Sequence, residues 1–355
     1  MRLGSSFSYS AFLQPGRRYI MVLNSKSFWS VFAPHISDFI DLKRSLGYKY
    51  KEQERVLHRF DRFILDQGHT SLGLTKEISD EWAVRRHNES ELTIYSYIII
   101  VKQLAEYLRD QGIKTYVPQL PKYPGWTFIP YIYSYEEMNA IFRAVDNLRM
   151  KCRNVNSCLL IMPCLLRLLY GTGIRIGEAL SLMNKGVDIE GRYLILEDTK
   201  NGKDRLVPMS DSLIAVCKDY LENRNKLPVS GLKRENGPFF VSLNGGVCKQ
   251  SAVRYWFRKV LEIAGIPYTG DGKSHRIHDI RHSFACHSFL KLSDEGVDLY
   301  CSWPYLSTYL GHQSLGSTEH YIRLTSQMYP ELLKNTEGLY VDILPDIPAK
   351  NKRQP

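Results

Sequence analysis

At 355 residues, 44% of them hydrophobic and 24% charged, the chain is long enough for two globular domains, each with its own core. Lys and Arg outnumber Asp and Glu by 47 to 37, and the resulting net charge of +10 suits a polyanionic partner, either nucleic acid or an anionic membrane surface. No run approaches the roughly 18 apolar residues of a bilayer span, the apolar run 19–23 is too short for a secretion signal, and seven cysteines without a CxxC pair favour neither a disulfide framework nor a zinc site.

In chain order, residues 1–27 carry Gly4, Pro15, Gly16 and several serines but no periodic pattern, and read as an extension in which Met21 is an alternative start. Residues 28–112 predict a helical domain. Helices are expected over 35–46, stopping at Gly47; over 51–67, stopping at Gly68; over 76–87 after Thr75; and over 92–111, stopping at Gly112. In the last of these, Ile94, Tyr97, Ile98, Val101, Leu104, Ala105 and Leu108 recur at helical spacing and define one buried face. Pro118, Pro121, Pro124, Gly125 and Pro130 make 113–130 a linker. Ser134-Tyr135-Glu136-Glu137 then resembles a capped helix start with an acidic first turn, opening a second domain over 131–335. That domain is mostly helical, with a strand–turn–strand over 192–209 around Asn201-Gly202. Cys158 and Cys164 lie in an apolar helical pattern and read as core thiols in a reducing cytoplasm. The tail, 336–355, ends in a basic, solvated stretch. The fold class is mainly α with a small β-hairpin or sheet.

Four segments of the second domain carry chemistry. In Gly171-Thr-Gly-Ile-Arg175-Ile-Gly-Glu178, a tight turn ends one helix and Arg175 opens the next, so a guanidinium and free backbone N–H groups can form an anion site; an ordinary helix start with a surface arginine reads the same way. Glu178, one turn on, equally suits orienting Arg175 or capping nothing. The hairpin tip holds Lys200 and Lys203, which by default extend into water but can reach a leaving group. In His275-Arg-Ile-His278-Asp279-Ile-Arg281-His282, a helix from about 277 puts His278 and Arg281 on one face, able to donate to one phosphate. The spacing of His278 and His282 also suits a metal, but Asp271 and Asp279 complete no clear ligand set, and no metal or other cofactor is expected. The fourth segment contains Leu310-Gly311-His312 and then Tyr321, whose simplest reading is a packed tyrosine with a wet hydroxyl.

Taken together, the strings Gly-Thr-Gly-Ile-Arg-Ile-Gly-Glu-Ala-Leu-Ser-Leu, Lys-Asn-Gly-Lys-Asp-Arg-Leu-Val-Pro, His-Asp-Ile-Arg-His-Ser-Phe-Ala and Tyr-Leu-Gly-His, in this order, strongly resemble the tyrosine recombinase (phage integrase) family. The likeness covers roughly 134–333 and, more loosely, the helical region before the linker. It implies an N-terminal helical core-binding domain and a C-terminal catalytic domain. It assigns Arg175, Lys200, His278, Arg281 and His312 to activating a phosphodiester, and Tyr321 as the nucleophile that forms a covalent 3′-phosphotyrosine without metal or ATP. Lys200 is preferred to Lys203 because it matches the first lysine of the family's hairpin string. Arg175→Ala and Arg281→Ala are each expected to slow cleavage by ~100-fold or more while altering stability little. The stretch 292–305, with Trp303-Pro304-Tyr305 ahead of the helix that ends at Gly311, is longer than in many members and looks like transposon-associated ones. The implied partner is double-stranded DNA, bound by a homotetramer on paired sites through a Holliday junction, with element-encoded partner proteins possible and no membrane. Lys49, Lys51, Arg55, Arg59, Arg85 and Arg86 are candidate phosphate contacts of the first domain, although Glu52, Glu54 and Asp61 among them equally suit a solvated helix face. Two rival functions are a type IB topoisomerase, which relaxes any supercoiled DNA, and a non-catalytic DNA-binding protein of the same fold, which has no need of Tyr321.

Overall fold

The structure is a computed structural model, and it describes residues 28–85, 89–125, 129–150, 154–197, 204–267, 275–297 and 299–311. The chain divides into two compact units, 1–128 and 129–355.

The first unit is helical: α1 (Ala33–Ser45), α2 (Lys51–Asp66), α3 (Lys76–Trp82) and α4 (Glu91–Asp110). Thr75 and Ser90 cap α3 and α4 by accepting from the backbone N–H groups of Ile78 and Thr93, so each helix starts where a hydroxyl can satisfy an orphan donor. Phe32, Ile36 and Phe39 meet Leu57, Phe60 and Ile64 of α2 and Val101, Leu104 and Leu108 of α4 in one core. Asp61 is buried within it and accepts from the backbone N–H groups of Trp29 and Ser30 at 2.8 and 2.9 Å, which fixes the approach to α1. The helix expected over 76–87 is shorter, because after Trp82 is buried nothing apolar holds the next turn and Val84 is 65% exposed.

The second unit contains α5 (Tyr135–Asn147), α6 (Met162–Thr172), α7 (Ile176–Ser181), β1 (Val187–Asp188), β2 (Tyr193–Leu196), β3 (Arg205–Pro208), α8 (Asp211–Asn225), α9 (Gln250–Ile263), α10 (Asp279–Asp294) and α11 (Leu299–Leu310). Ser134 and Glu137 form a reciprocal capping box at α5, as the acidic helix start predicts. The strands form an antiparallel sheet in the order β1-β2-β3, with Leu194 opposite Val207 and Leu196 opposite Arg205. The two-residue β1 is too short to leave a period-two signal in the sequence. The organising element is α6, which packs against α5, α8 and α10 and buries Met162, Cys164, Leu165, Leu166, Leu168 and Leu169; a helix apolar nearly all round belongs in the middle of a domain. Cys164 lies 3.9 Å, sulfur to sulfur, from Cys217 of α8, and Cys158 is equally buried.

One expectation is corrected at α11. Trp303-Pro304-Tyr305 lies inside this helix, which begins at Leu299, so only 295–298 separate α10 from α11. The buried positions Ser302, Leu306 and Leu310 recur every four residues, and that packed stripe outweighs the one hydrogen bond that Pro304 cannot donate. Among the described residues no helix is long and apolar enough to cross a membrane.

Candidate active site

The site starts where α6 stops. Gly173 ends the helix at φ +61°, and a Cβ there would fall 2.3 Å from Cδ1 of Phe284 in α10 and 3.0 Å from Cδ2 of Leu310 in α11. Both the backbone angle and the space demand glycine. Two residues on, Arg175 takes extended geometry as the residue before α7. Its side chain cannot accept a hydrogen bond, so the cap runs backwards: Glu178 accepts from the Arg175 backbone N–H at 2.9 Å and from its Nη1 at 2.8 Å. The sequence suggests that free N–H groups here help to bind an anion. The Arg175 N–H is instead taken by Glu178, and α7 has only six residues, so the guanidinium itself carries the positive charge of this corner.

The sequence reading leaves Arg205 without a role, and the structure gives it one. From the start of β3 it sends Nη2 to 2.8 Å from Glu178 Oε2 and Nη1 to 3.3 Å from Oε1. A single buried carboxylate therefore holds two guanidiniums and a backbone N–H. Burial alone would raise the Glu178 pKa; hydrogen bonds from Arg205 and from the Arg175 backbone, with the Arg205 charge, outweigh it and bring it to about 2. The pair is 27 residues apart in sequence, and an arginine in a hairpin usually faces water. The available signal was the strand period, since Arg205 shares its side of β3 with the buried Val207 rather than with the exposed Leu206.

Arg281, 2% exposed, projects from the first turn of α10. Its Nη1 donates to the Gly173 carbonyl at 2.7 Å and its Nη2 to the Leu310 carbonyl at 2.8 Å, joining the ends of α6 and α11. Arg175 Nη2 makes a longer contact, 3.3 Å, with the next carbonyl, Gly311. Gly311 has φ +66°, and a Cβ on it would lie 2.9 Å from Arg205 Nη1. The end of α11 thus brings Arg175, Arg205 and Arg281 around one corner. His278 precedes α10 with helical backbone angles, so its three-residue spacing from Arg281 is helical, as expected. Its pKa is lowered to about 4, first by burial and then by the charges of Arg281, Arg276 and Arg175, so the ring is neutral at pH 7.

The other histidines of the motif diverge. His282 meets the His278 ring edge-on at 4.9 Å, His275 packs on Tyr131, and His287 shares a 2.7 Å hydrogen bond with the Tyr170 hydroxyl. Among the described residues no three His, Cys, Asp or Glu side chains gather as metal ligands. Lys200, Lys203, His312, Tyr321 and Arg86 lie outside the described residues. Of the first-unit cations, Lys49 and Lys51 are exposed at the start of α2, Arg55 pairs with Glu52, Arg85 donates to the Glu89 carbonyl, and Arg59 binds Glu89 at 2.6 Å and the Tyr97 hydroxyl.

The model of the phage integrase family matches residues 134–328, more than half the chain. A protein of Sinorhizobium fredii named "Putative integrase/recombinase y4rB" is 30% identical over 319 residues, which cover 88% of this chain and 99% of that protein. Tyrosine recombinase XerA of Pyrococcus horikoshii is 27% identical over 255 residues, covering 70% and 76% of the two chains. Among solved structures, the Tn1549 transposon integrase in complex with transposon right end DNA has the same fold, with a TM-score of 0.59 at 18% identity over 86% of this chain and 98% of that one. So does a lambda integrase dimer bound to a core site, with a TM-score of 0.56 at 15% identity over 79% and 95%. With its mainly helical fold, its small sheet and its arginine-lined corner, the chain belongs to the phage integrase family, the tyrosine recombinases.

Proposed function

We propose that the chain is a site-specific DNA recombinase that cuts and rejoins strands through a covalent 3′-phosphotyrosine on Tyr321. The observation that carries this reading is the corner at the end of α11. There Arg281 and Arg175 reach the consecutive carbonyls of Leu310 and Gly311, a neutral His278 stands beside them, and His312 follows directly in the chain. A phosphodiester repels an oxyanion nucleophile, and two guanidiniums and an imidazole N–H on its non-bridging oxygens offset the charge that grows in the transition state. The Tyr321 hydroxyl oxygen attacks phosphorus while its proton passes to His278, whose lone pair is available at neutral pH. The bond from phosphorus to the 5′ oxygen breaks as Lys200 protonates that oxygen. The tyrosyl phosphodiester retains the energy of the broken bond, and the reverse attack by a 5′-hydroxyl reseals the strand.

The net charge of +10 and family membership support double-stranded DNA as the substrate. In the related solved structures the Tn1549 integrase is in complex with transposon right end DNA, and lambda integrase is bound to a core site. The helical first unit would grip the duplex through cations such as Lys49 and Lys51. Four copies on two sites would exchange strands through a Holliday junction, with the segment 329–344 docking on a neighbouring copy. The natural substrate is sought in the ends of the mobile element that carries the gene. A nicked duplex of that DNA is expected to trap the chain covalently on a denaturing gel, and Tyr321→Phe to bind the same DNA without an adduct. An adduct formed by Tyr321→Phe at wild-type yield overturns the nucleophile. Tyr321-dependent relaxation of any supercoiled plasmid, without preference for the element ends, would make the chain a topoisomerase instead.

A further inference from the structure

We propose that Arg205 is a positioning residue for the cleavage reaction, acting through Glu178 to aim the Arg175 guanidinium at the scissile phosphate. The proposal deepens the recombinase reading and rests on it. Glu178 binds Arg175 at two places, the backbone N–H and Nη1, which leaves the guanidinium edge that carries Nη2 turned toward Gly311. That orientation is only as firm as the carboxylate. Its two oxygens are fixed in turn by the fork of Arg205, in a pocket where the Glu178 side chain is 8% and the Arg205 side chain 13% exposed. Gly311 completes the arrangement. Its missing side chain leaves room for the Arg205 guanidinium, since a Cβ there would sit 3.1 Å from its Cζ.

Charge also requires a second cation. A buried carboxylate with Arg175 as its only cationic partner would neutralise the charge that the phosphate needs. With Arg205 present, the cluster of two guanidiniums and one carboxylate keeps one net positive charge. Arg205 thus makes Glu178 an orienting group without letting it consume the charge of Arg175. A lysine at 205 would keep the charge and lose the fork, because an ammonium is a point donor that cannot span both carboxylate oxygens in one plane.

The test uses the full-length chain on a nicked duplex of the element-end DNA, with the cleavage position mapped by the wild type. A second duplex replaces the scissile phosphate with a methylphosphonate, which lacks the negative charge that Arg175 neutralises. On the phosphate duplex, Arg205→Gln is expected to slow adduct formation by ~10- to 100-fold, the scale of a misaimed catalytic group, with DNA affinity unchanged and Arg205→Lys between it and the wild type. On the methylphosphonate duplex all three proteins, and Arg175→Ala with them, should react within a few-fold of one another. Equal slowing of Arg205→Gln on both duplexes would mean that Arg205 only holds the fold, and a phosphate rate within twofold of wild type would mean that it does nothing for cleavage; either overturns the proposal. If Arg205→Gln does not fold, as judged by thermal melting, Arg205→Lys carries the same comparison. Absence of a Tyr321-dependent adduct from the wild type overturns the recombinase reading and this proposal together, whereas the preceding two outcomes overturn this proposal alone.

Discussion

Arg281 does more than present charge. From a site 2% exposed it spans the carbonyls of Gly173 and Leu310, so truncating it leaves two buried acceptors without their donor. At about 1–3 kcal/mol for each unsatisfied group, Arg281→Ala is expected to cost roughly 2–6 kcal/mol of stability, against about 1–3 kcal/mol for Arg175→Ala, which loses its bond to the buried Glu178 while Arg205 still holds that carboxylate and water replaces the long contact with Gly311. This revises the sequence expectation that loss of either arginine alters stability little. Urea denaturation of the two variants decides it, and matching midpoints would remove Arg281 from the structural role. His287 offers a second test at this scale. Burial lowers its pKa to about 4 more strongly than the Tyr133 backbone raises it. The unfolded chain, with an ordinary histidine near 6.5, takes up the proton first, so the contribution of neutral His287 is complete above pH 6.5 and is lost as pH falls toward 4. His287→Phe should therefore lose less stability than the wild type between pH 7 and pH 5. His278 has the same sign and is present in both proteins, so the difference isolates residue 287. An unchanged difference would mean that its proton is not excluded by folding.

At the scale of elements, the turn from α6 to α7 is threaded under α10. Gly173→Ala adds a Cβ 2.3 Å from Phe284 and forces φ +61° on an L-residue. The expected loss is about 2 kcal/mol or more, of which roughly 1 kcal/mol is the left-handed backbone alone. In a Phe284→Ala background the steric part should disappear and the backbone part remain, so a double-mutant cycle with no coupling between the two sites would refute the packing argument. How legible each element was depended on where its determinants lie. The caps Thr75, Ser90 and Ser134 sit within three residues of the N–H groups they satisfy, and the helices they start could be read directly. The start of α11 could not, because Pro304 signals a break locally while the buried stripe of Ser302, Leu306 and Leu310 depends on packing against α10. For the same reason the sequence singled out Arg175, His278 and Arg281 through their motifs but not Arg205, although it stands inside one of the strings quoted: its contacts are with Glu178, on another element.

Across the whole molecule, a net charge of +10 makes DNA binding depend on salt, and the cations of the first unit divide by what already holds them. Lys51 is exposed at the head of α2, whereas Arg59 is engaged by Glu89 and by Tyr97, over whose ring its guanidinium lies at 4.8 Å. If Lys51 meets a phosphate, Lys51→Gln should reduce the slope of log affinity against log salt by about 0.9 and leave the melting temperature in place. Arg59→Gln should lower the melting temperature instead. Fluorescence anisotropy at several salt concentrations makes the comparison, and an unchanged slope for Lys51→Gln takes that lysine off the DNA.

The double duty of Arg281 also bears on dominance. On the proposed function, a chain altered only at Tyr321 keeps the tie between α6 and α11 and would still occupy DNA, and in an assembly of several copies it would block its active neighbours. A chain altered at Arg281 loses a large part of a marginal stability and is removed by proteolysis before it can compete. If Tyr321 is the nucleophile and several copies act together, as proposed, changes at Tyr321 are expected to act as dominant inhibitors of other copies and changes at Arg281 to be recessive, which co-expression of each variant with the wild type would check.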